Sequence, residues 1–191
     1  MIIGITGGTG CGKTTLLNHI RDAGGLILDC DAIYHQLLRS DKAMLQAIDV
    51  RFPGTVEGGV LNRKKLGSIV FADESALLDL NRITHGAVKQ EILRQLAEKP
   101  TLAAIDAIGL FEGGLAELCD VTVAVTAPEA QRIRRLMERD GISEEYARSR
   151  ITAQKPQDWF CNRCDAVIAN DADIQSYSLK CLDFLKELGI M

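Results

Sequence analysis

Residues 7–15 read Gly-Gly-Thr-Gly-Cys-Gly-Lys-Thr-Thr, "GGTGCGKTT". They follow Ile2-Ile-Gly-Ile-Thr6, a short apolar run that predicts a strand over 2–6. They lead into a stretch whose apolar spacing predicts a helix from Lys13 to about Ala23. Gly7-x4-Gly12-Lys13-Thr14 satisfies G-x-x-x-x-G-K-[ST] in full and lies between a strand and a helix, the context the motif needs. Its glycines let the backbone curl so that several N–H groups point at one phosphate, and the following helix adds its positive end. Lys13 is expected to reach the β- and γ-phosphates, and the Thr14 hydroxyl to ligate Mg²⁺. Gly8, Gly10, Cys11, Gly12, Lys13, Thr14 and Thr15 are thus the expected nucleotide contacts.

Working outward, strands and helices alternate. Leu26-Ile-Leu28 predicts a second strand that ends at Asp29, and residues 31–51 predict two helical pieces with Asp29 or Asp31 as a cap. Helices are expected over 61–71, 83–99, 128–139, 143–154 and about 174–188. Further strands are expected over 101–108, 121–125 and 166–169. Such alternation means a parallel sheet covered by helices on both faces, with ligands at the carboxyl ends of its strands. The glycine loop, the Asp29/Asp31 pair and Asp106 all fall at such ends.

The chain has 191 residues, enough for one core with a small appendage; 47% are hydrophobic and 25% charged, as in an ordinary globular protein. A net charge of −4 argues against a general nucleic-acid or anionic-membrane binder. No stretch approaches the roughly 20 apolar residues that a membrane span needs. The chain opens directly on Ile2-Ile3-Gly4-Ile5 with no basic leader, which gives the expectation of a cytoplasmic protein. Six cysteines are then expected to be reduced. Cys161 and Cys164 have C-x-x-C spacing but no matching second pair for zinc. Cys11 lies inside the phosphate loop, where backbone N–H groups can lower its pKa and make it a candidate oxidation site.

Asp29 and Asp31 supply a carboxylate of the kind that accepts the proton of an attacking hydroxyl; the same residue types also cap helices. Segment 131–155 carries Arg132, Arg134, Arg135, Arg139, Arg148, Arg150 and Lys155, a basic excess in an acidic chain. Arg132, Arg135 and Arg139 stand at helical spacings and share a face, which fits either closure over transferring phosphates or a solvated surface. Asp106, at the end of a strand, suits a water-bridged Mg²⁺. Glu112 suits either an acceptor site or the start of the next helix, where an acid is favourable, and His85 is a polar residue in a helical segment, a position more often packed or at the surface.

Together these stretches resemble the dephospho-coenzyme A kinase family almost end to end. "GITGGTGCGKTT", "LILDCDAI", "LNRKKLGSIVF", "LNRITHG", "LFEGGLAELCD", "RRLMERDGISEEYARSRITAQ" and "CDAVIAND" match its blocks in order and spacing. The resemblance implies a P-loop kinase fold: an α/β protein with a parallel five-stranded sheet, a helical acceptor-binding region and a lid. It implies one domain, with a core at about 1–30, 101–130 and 165–191, the acceptor-binding region at about 31–99 and the lid at about 131–160. It implies transfer of the γ-phosphate of ATP to the ribose 3′-hydroxyl of dephospho-CoA, with Mg²⁺; a monomeric or weakly associated cytoplasmic enzyme is expected. By position, Asp31 is the catalytic base, Lys13 and Arg139 act on the phosphates, Asp31, His35, His85 and Glu112 meet the acceptor, and Thr14 and Asp106 serve the metal.

The chain departs from the family pattern at several positions. His35 stands where Arg is usual, Gly86 where Pro follows Thr-His, Ile108-Gly109 where Pro-Leu is usual, and Phe160 where a basic residue is usual. One extra residue separates Gln131 from the Arg-Leu pair. These departures keep two alternatives open: a kinase of the same architecture for another nucleoside or nucleotide, and a non-catalytic nucleotide- or CoA-binding relative.

Overall fold

The computed structural model describes residues 1–190; residue 191, the last of the expected core, lies outside them. The chain divides into two compact units, Asp29–Lys99 and the remainder, Met1–Leu28 with the chain from Pro100 onward.

The larger unit is built on β1 (Ile2–Thr6), β2 (Leu26–Asp29), β5 (Ala103–Asp106), β6 (Val121–Thr126) and β7 (Ala166–Ala169), in the order β2-β5-β1-β6-β7. All five are parallel. β1 lies at the centre, with Ile5 opposite Asp106 of β5 and Thr6 opposite Ala124 of β6. Both faces are covered, so the strands read as continuous apolar runs rather than alternating ones. The chain leaves β1 toward one edge and later crosses to β6 and β7 on the other. The crevice at the carboxyl end of β1 is therefore the expected ligand position. α1 (Lys13–Asp22) and α9 (Ile174–Glu187) pack together, and Ile3, Ile5, Leu16, Ile20, Val123 and Tyr177 belong to one buried cluster. α6 (Glu129–Asp140) and α7 (Glu144–Thr152) form a helical pair with its own small core of Ile133, Leu136 and Ala147. α8 (Gln157–Cys161), which the sequence did not announce, buries Phe160.

The smaller unit contains α2 (Cys30–Ser40), α3 (Lys42–Arg51), a hairpin of β3 (Val56–Glu57) and β4 (Val60–Leu61), α4 (Arg63–Val70) and α5 (Glu74–Leu96). Ile33, Leu37, Ile48, Leu66, Val88 and Ile92 are buried. The helix expected from residue 61 starts at Arg63 because Leu61 pairs with Val56 in the hairpin and Asn62 caps α4. Gly58 and Gly59 take positive φ at the turn, as a two-residue hairpin requires. The helix expected at 83–99 starts earlier, at the Asp73 cap, and ends at Leu96.

α5 runs unbroken through Gly86, where a proline would remove a backbone donor. A Cβ at this exposed position meets nothing within 4 Å, and its φ is ordinary. Gly86→Ala should therefore stabilise the protein by roughly 0.5–1 kcal/mol through helix propensity alone. Denaturant unfolding of the two proteins checks this; a destabilised variant would mean that α5 bends there.

Candidate phosphate site

α2, α3, α4, α5, α7 and α9 each begin with an Asp, Asn or Ser side chain accepting a bond from the first turn. α1 does not. Its N-cap is Gly12, at φ 99°, with no capping side chain and no acidic residue in the first turn. The first N–H groups of a helix have no partner within the helix, so α1 presents its positive end to whatever binds there. A Cβ on Gly12 would also run into Asn170 Nδ2, so the position demands glycine on two grounds.

Four successive carbonyls of the loop accept bonds from side chains elsewhere in the unit. Arg132 Nε donates to Thr9 O (2.9 Å), and Arg135 Nη1 to Gly10 O (3.2 Å) and Cys11 O (3.4 Å). Asn170 Nδ2 donates to Cys11 O (2.9 Å), and Tyr177 Oη to Gly12 O (3.0 Å). In a trans peptide the next N–H points opposite the carbonyl. Holding the carbonyls outward therefore turns the N–H groups of Gly10, Gly12 and Lys13 toward the other side. Such a concavity of N–H groups is an anion nest.

Lys13 Nζ donates to Gly7 O (3.2 Å) and lies 3.7 Å from Asp106 Oδ1, with both side chains mostly buried. The register that sets Asp106 opposite Ile5 brings the tips of β5 and β1 together and so brings this carboxylate to the loop. Thr14 is exposed on the first turn of α1; Thr15 is half-buried, its N–H on Gly12 O. The Thr14 hydroxyl and the Asp106 carboxylate are hard oxygen donors of the type Mg²⁺ takes, so the residues present fit that ion.

The arginines expected on one face separate into two roles. Arg132 and Arg135 reach back to the loop. Arg139, at the end of α6, makes two bonds to Asp140, at 2.7 and 3.0 Å, and Arg150 bonds the same carboxylate. These contacts hold the Asp140 carboxyl well below the usual carboxylate range. Arg134 pairs with Glu138, and Arg148 with Glu129 and Glu144, as a solvated surface would.

In the smaller unit, Asp29 rather than Asp31 caps α2, accepting from Ala32 N at 3.0 Å. Asp31 is exposed in the first turn. His35, also exposed, follows it by one turn on the same helix. His85 is half-buried in the middle of α5. In the larger unit, Glu112 is exposed in the turns after β5. Phe160 is 2% exposed, its ring 5.2 Å from that of Trp159, so this position belongs to the core rather than to a charged lid. Cys11 also departs from expectation. Burial pushes its thiol up, outweighing the opposite pull of Lys13 and Arg132, so it is an inert buried thiol rather than an activated one. Gln154 closes the family-like stretch 134–154 and Asn170 lies in that at 164–171, but neither stretch assigns them a role, and only the fold reveals the part they and Tyr177 take in the loop.

The family model described as CoaE, dephospho-CoA kinase, matches residues 1–176. A dephospho-CoA kinase of Syntrophotalea carbinolica is 36% identical over 181 residues, which cover 92% of this chain and 86% of that protein. The dephospho-CoA kinase of Geobacillus kaustophilus is 36% identical over 196 residues, covering 98% and 96%. Among solved structures, a Thermus thermophilus protein superposes with a TM-score of 0.84 at 31% identity, over 98% of this chain and 97% of that one. Dephospho-CoA kinase from Campylobacter jejuni gives 0.69 at 26%, over 100% and 98%. The phosphate loop, its position at the tip of β1 and matches along nearly the whole length agree: the chain belongs to the dephospho-CoA kinase family.

Proposed function

We propose that the protein transfers the γ-phosphate of ATP to the ribose 3′-hydroxyl of dephospho-CoA, giving coenzyme A and ADP. The observation that carries this reading is a complete, pre-formed phosphate loop in a chain that belongs to this family over almost its full length. The loop N–H groups and the uncapped end of α1 hold the phosphates, and Lys13 neutralises charge at the transferring group. Thr14 and Asp106 would hold Mg²⁺, which when bound would supply further charge neutralisation at the phosphates. Asp31 takes the proton of the acceptor hydroxyl. Because Asp29 already caps α2, the Asp31 carboxylate is left for chemistry rather than for the helix. Residues 31–99 serve as the acceptor-binding region, and the family resemblance assigns His35, His85 and Glu112 to the acceptor. Residues 131–160 serve as the lid. Arg139 exchanges Asp140 for the transferring phosphate. The acidic balance supports small-molecule substrates rather than nucleic acid, and the cytoplasm is where we place the activity.

The specific departure that favours a second reading is His35, a single imidazole where the family has a guanidinium able to form two parallel bonds. A related acceptor is the alternative it allows. ADP release with dephospho-CoA, its 3′-deoxy analogue and a panel of nucleosides and nucleotides decides between the two. We expect turnover with dephospho-CoA and none with the 3′-deoxy analogue; preference for an unrelated nucleoside would overturn the assignment.

Two variants test the residue roles. Asp31→Asn keeps shape but takes no proton, so kcat should fall on the order of 10² to 10⁴ with ATP binding nearly intact. An almost silent substitution would remove Asp31 from the mechanism. Arg139→Ala should lower kcat more than it raises KM for ATP, because the contact forms with the transferring group. An unchanged kcat would leave Arg139 as the partner of Asp140 alone.

A further inference from the structure

Arg132 is 7% exposed, an unusual position for a guanidinium, and its side-chain bonds go to neutral oxygens. Its Nε holds Thr9 O at 2.9 Å and its Nη2 lies 3.4 Å from Gln154 Oε1. That same Gln154 oxygen accepts from Thr9 N at 2.8 Å. Both sides of Thr9 are thus gripped, the carbonyl from α6 and the N–H from the residue just beyond α7. The loop is also shaped to this grip. A Cβ on Gly8 would run into Arg132 Nη2 and come within 3.2 Å of Gln154 Oε1, and one on Gly10 would lie 2.9 Å from the Arg132 carbonyl oxygen. Two glycines of the loop, at positions the motif leaves open, therefore leave the room in which Arg132 and Gln154 reach Thr9.

We infer that Arg132 and Gln154 are positioning residues for the nucleotide. They fix the two peptide planes at Thr9, and so the direction of the Gly10 N–H, before ATP arrives. They act through the loop backbone and not on the acceptor. The guanidinium, its partners neutral, also keeps its positive charge beside the phosphates. A charged donor and a neutral acceptor grip the same residue, so Arg132 should matter more than Gln154. The inference deepens the reading of this site as the ATP site and rests on it.

The test uses Arg132→Met, Gln154→Met, the double variant and Arg132→Lys in the full chain. Its readouts are ATP affinity by calorimetry, steady-state KM for ATP and for dephospho-CoA, and thermal unfolding without nucleotide. We expect Arg132→Met to weaken ATP affinity about tenfold or more, and Gln154→Met about threefold to tenfold. KM for dephospho-CoA should stay within about twofold in both, Arg132→Lys should recover part of the loss, and the double variant should lose less than the product of the two. A merely structural role lowers the melting temperature and the active fraction but leaves ATP affinity alone. ATP affinity within about twofold of the parent protein in folded variants overturns the inference. If Arg132→Met fails to fold, Gln154→Met and Arg132→Lys carry the same decision. Calorimetry with ATP needs no turnover, so a wrong acceptor would not disturb this test, whereas an unchanged parent protein that binds no ATP would sink the underlying reading.

Discussion

The phosphate loop is held from behind. A glycine-rich loop has more backbone freedom than any other kind of chain, and ordering it costs entropy that no glycine side chain can offset. Here the compensation comes from other elements. α6 contributes Arg132 and Arg135, the end of β7 contributes Asn170, and α9 contributes Tyr177, each bonded to a carbonyl of residues 9–12. The N–H groups on the opposite side are then set for a polyanion without reorganisation when it binds. Sheet order serves the same end. With β1 in the centre, elements that follow β6 and β7 lie on one side of the loop while Asp106 of β5 comes from the other.

Much of this fold was legible in the sequence because the signals are local. β1, β6 and β7 are apolar runs, and a buried parallel strand needs no alternation to announce it. The hairpin of Val56–Glu57 and Val60–Leu61 escaped because two-residue strands have no period. Only Gly58-Gly59, between two valine-containing pairs, marks it. The start of α5 escaped for a similar reason: Asp73 and Glu74 are a cap and a favourable first-turn acid, but the apolar residues that follow do not form one clean stripe.

The site was legible only where it is contiguous. Lys13 and Thr14 lie within the motif, and Asp106 follows from its place at the end of a strand. Arg132, Gln154, Asn170 and Tyr177 bond to loop atoms 123 to 165 residues away, and no spacing encodes such pairings. Helical periodicity grouped Arg132, Arg135 and Arg139, yet it could not show that the first two reach the loop while Asp140 holds the last at the end of the helix. Nor could it show that the thiol of Cys11, surrounded by favourable charges, is governed by its burial instead.

The charges complete the physical picture. The chain as a whole is acidic, and most of its arginines, Arg51, Arg82, Arg94, Arg134, Arg139, Arg148 and Arg150, pair with carboxylates. Arg132 and Arg135 instead bond to backbone carbonyls and side-chain amide oxygens. Neutral partners satisfy the geometry of a guanidinium but not its charge. Two positive charges are thereby kept against the loop, beside the positive end of α1. The protein tolerates this because carbonyl dipoles solvate each guanidinium, and because the bound phosphates supply the missing negative charge. Binding energy of that kind is also folding energy, since a ligand that binds only the native state stabilises it by mass action. The loop, its braces and the nucleotide thus form one electrostatic unit, in which the phosphates balance the charge of the two guanidiniums.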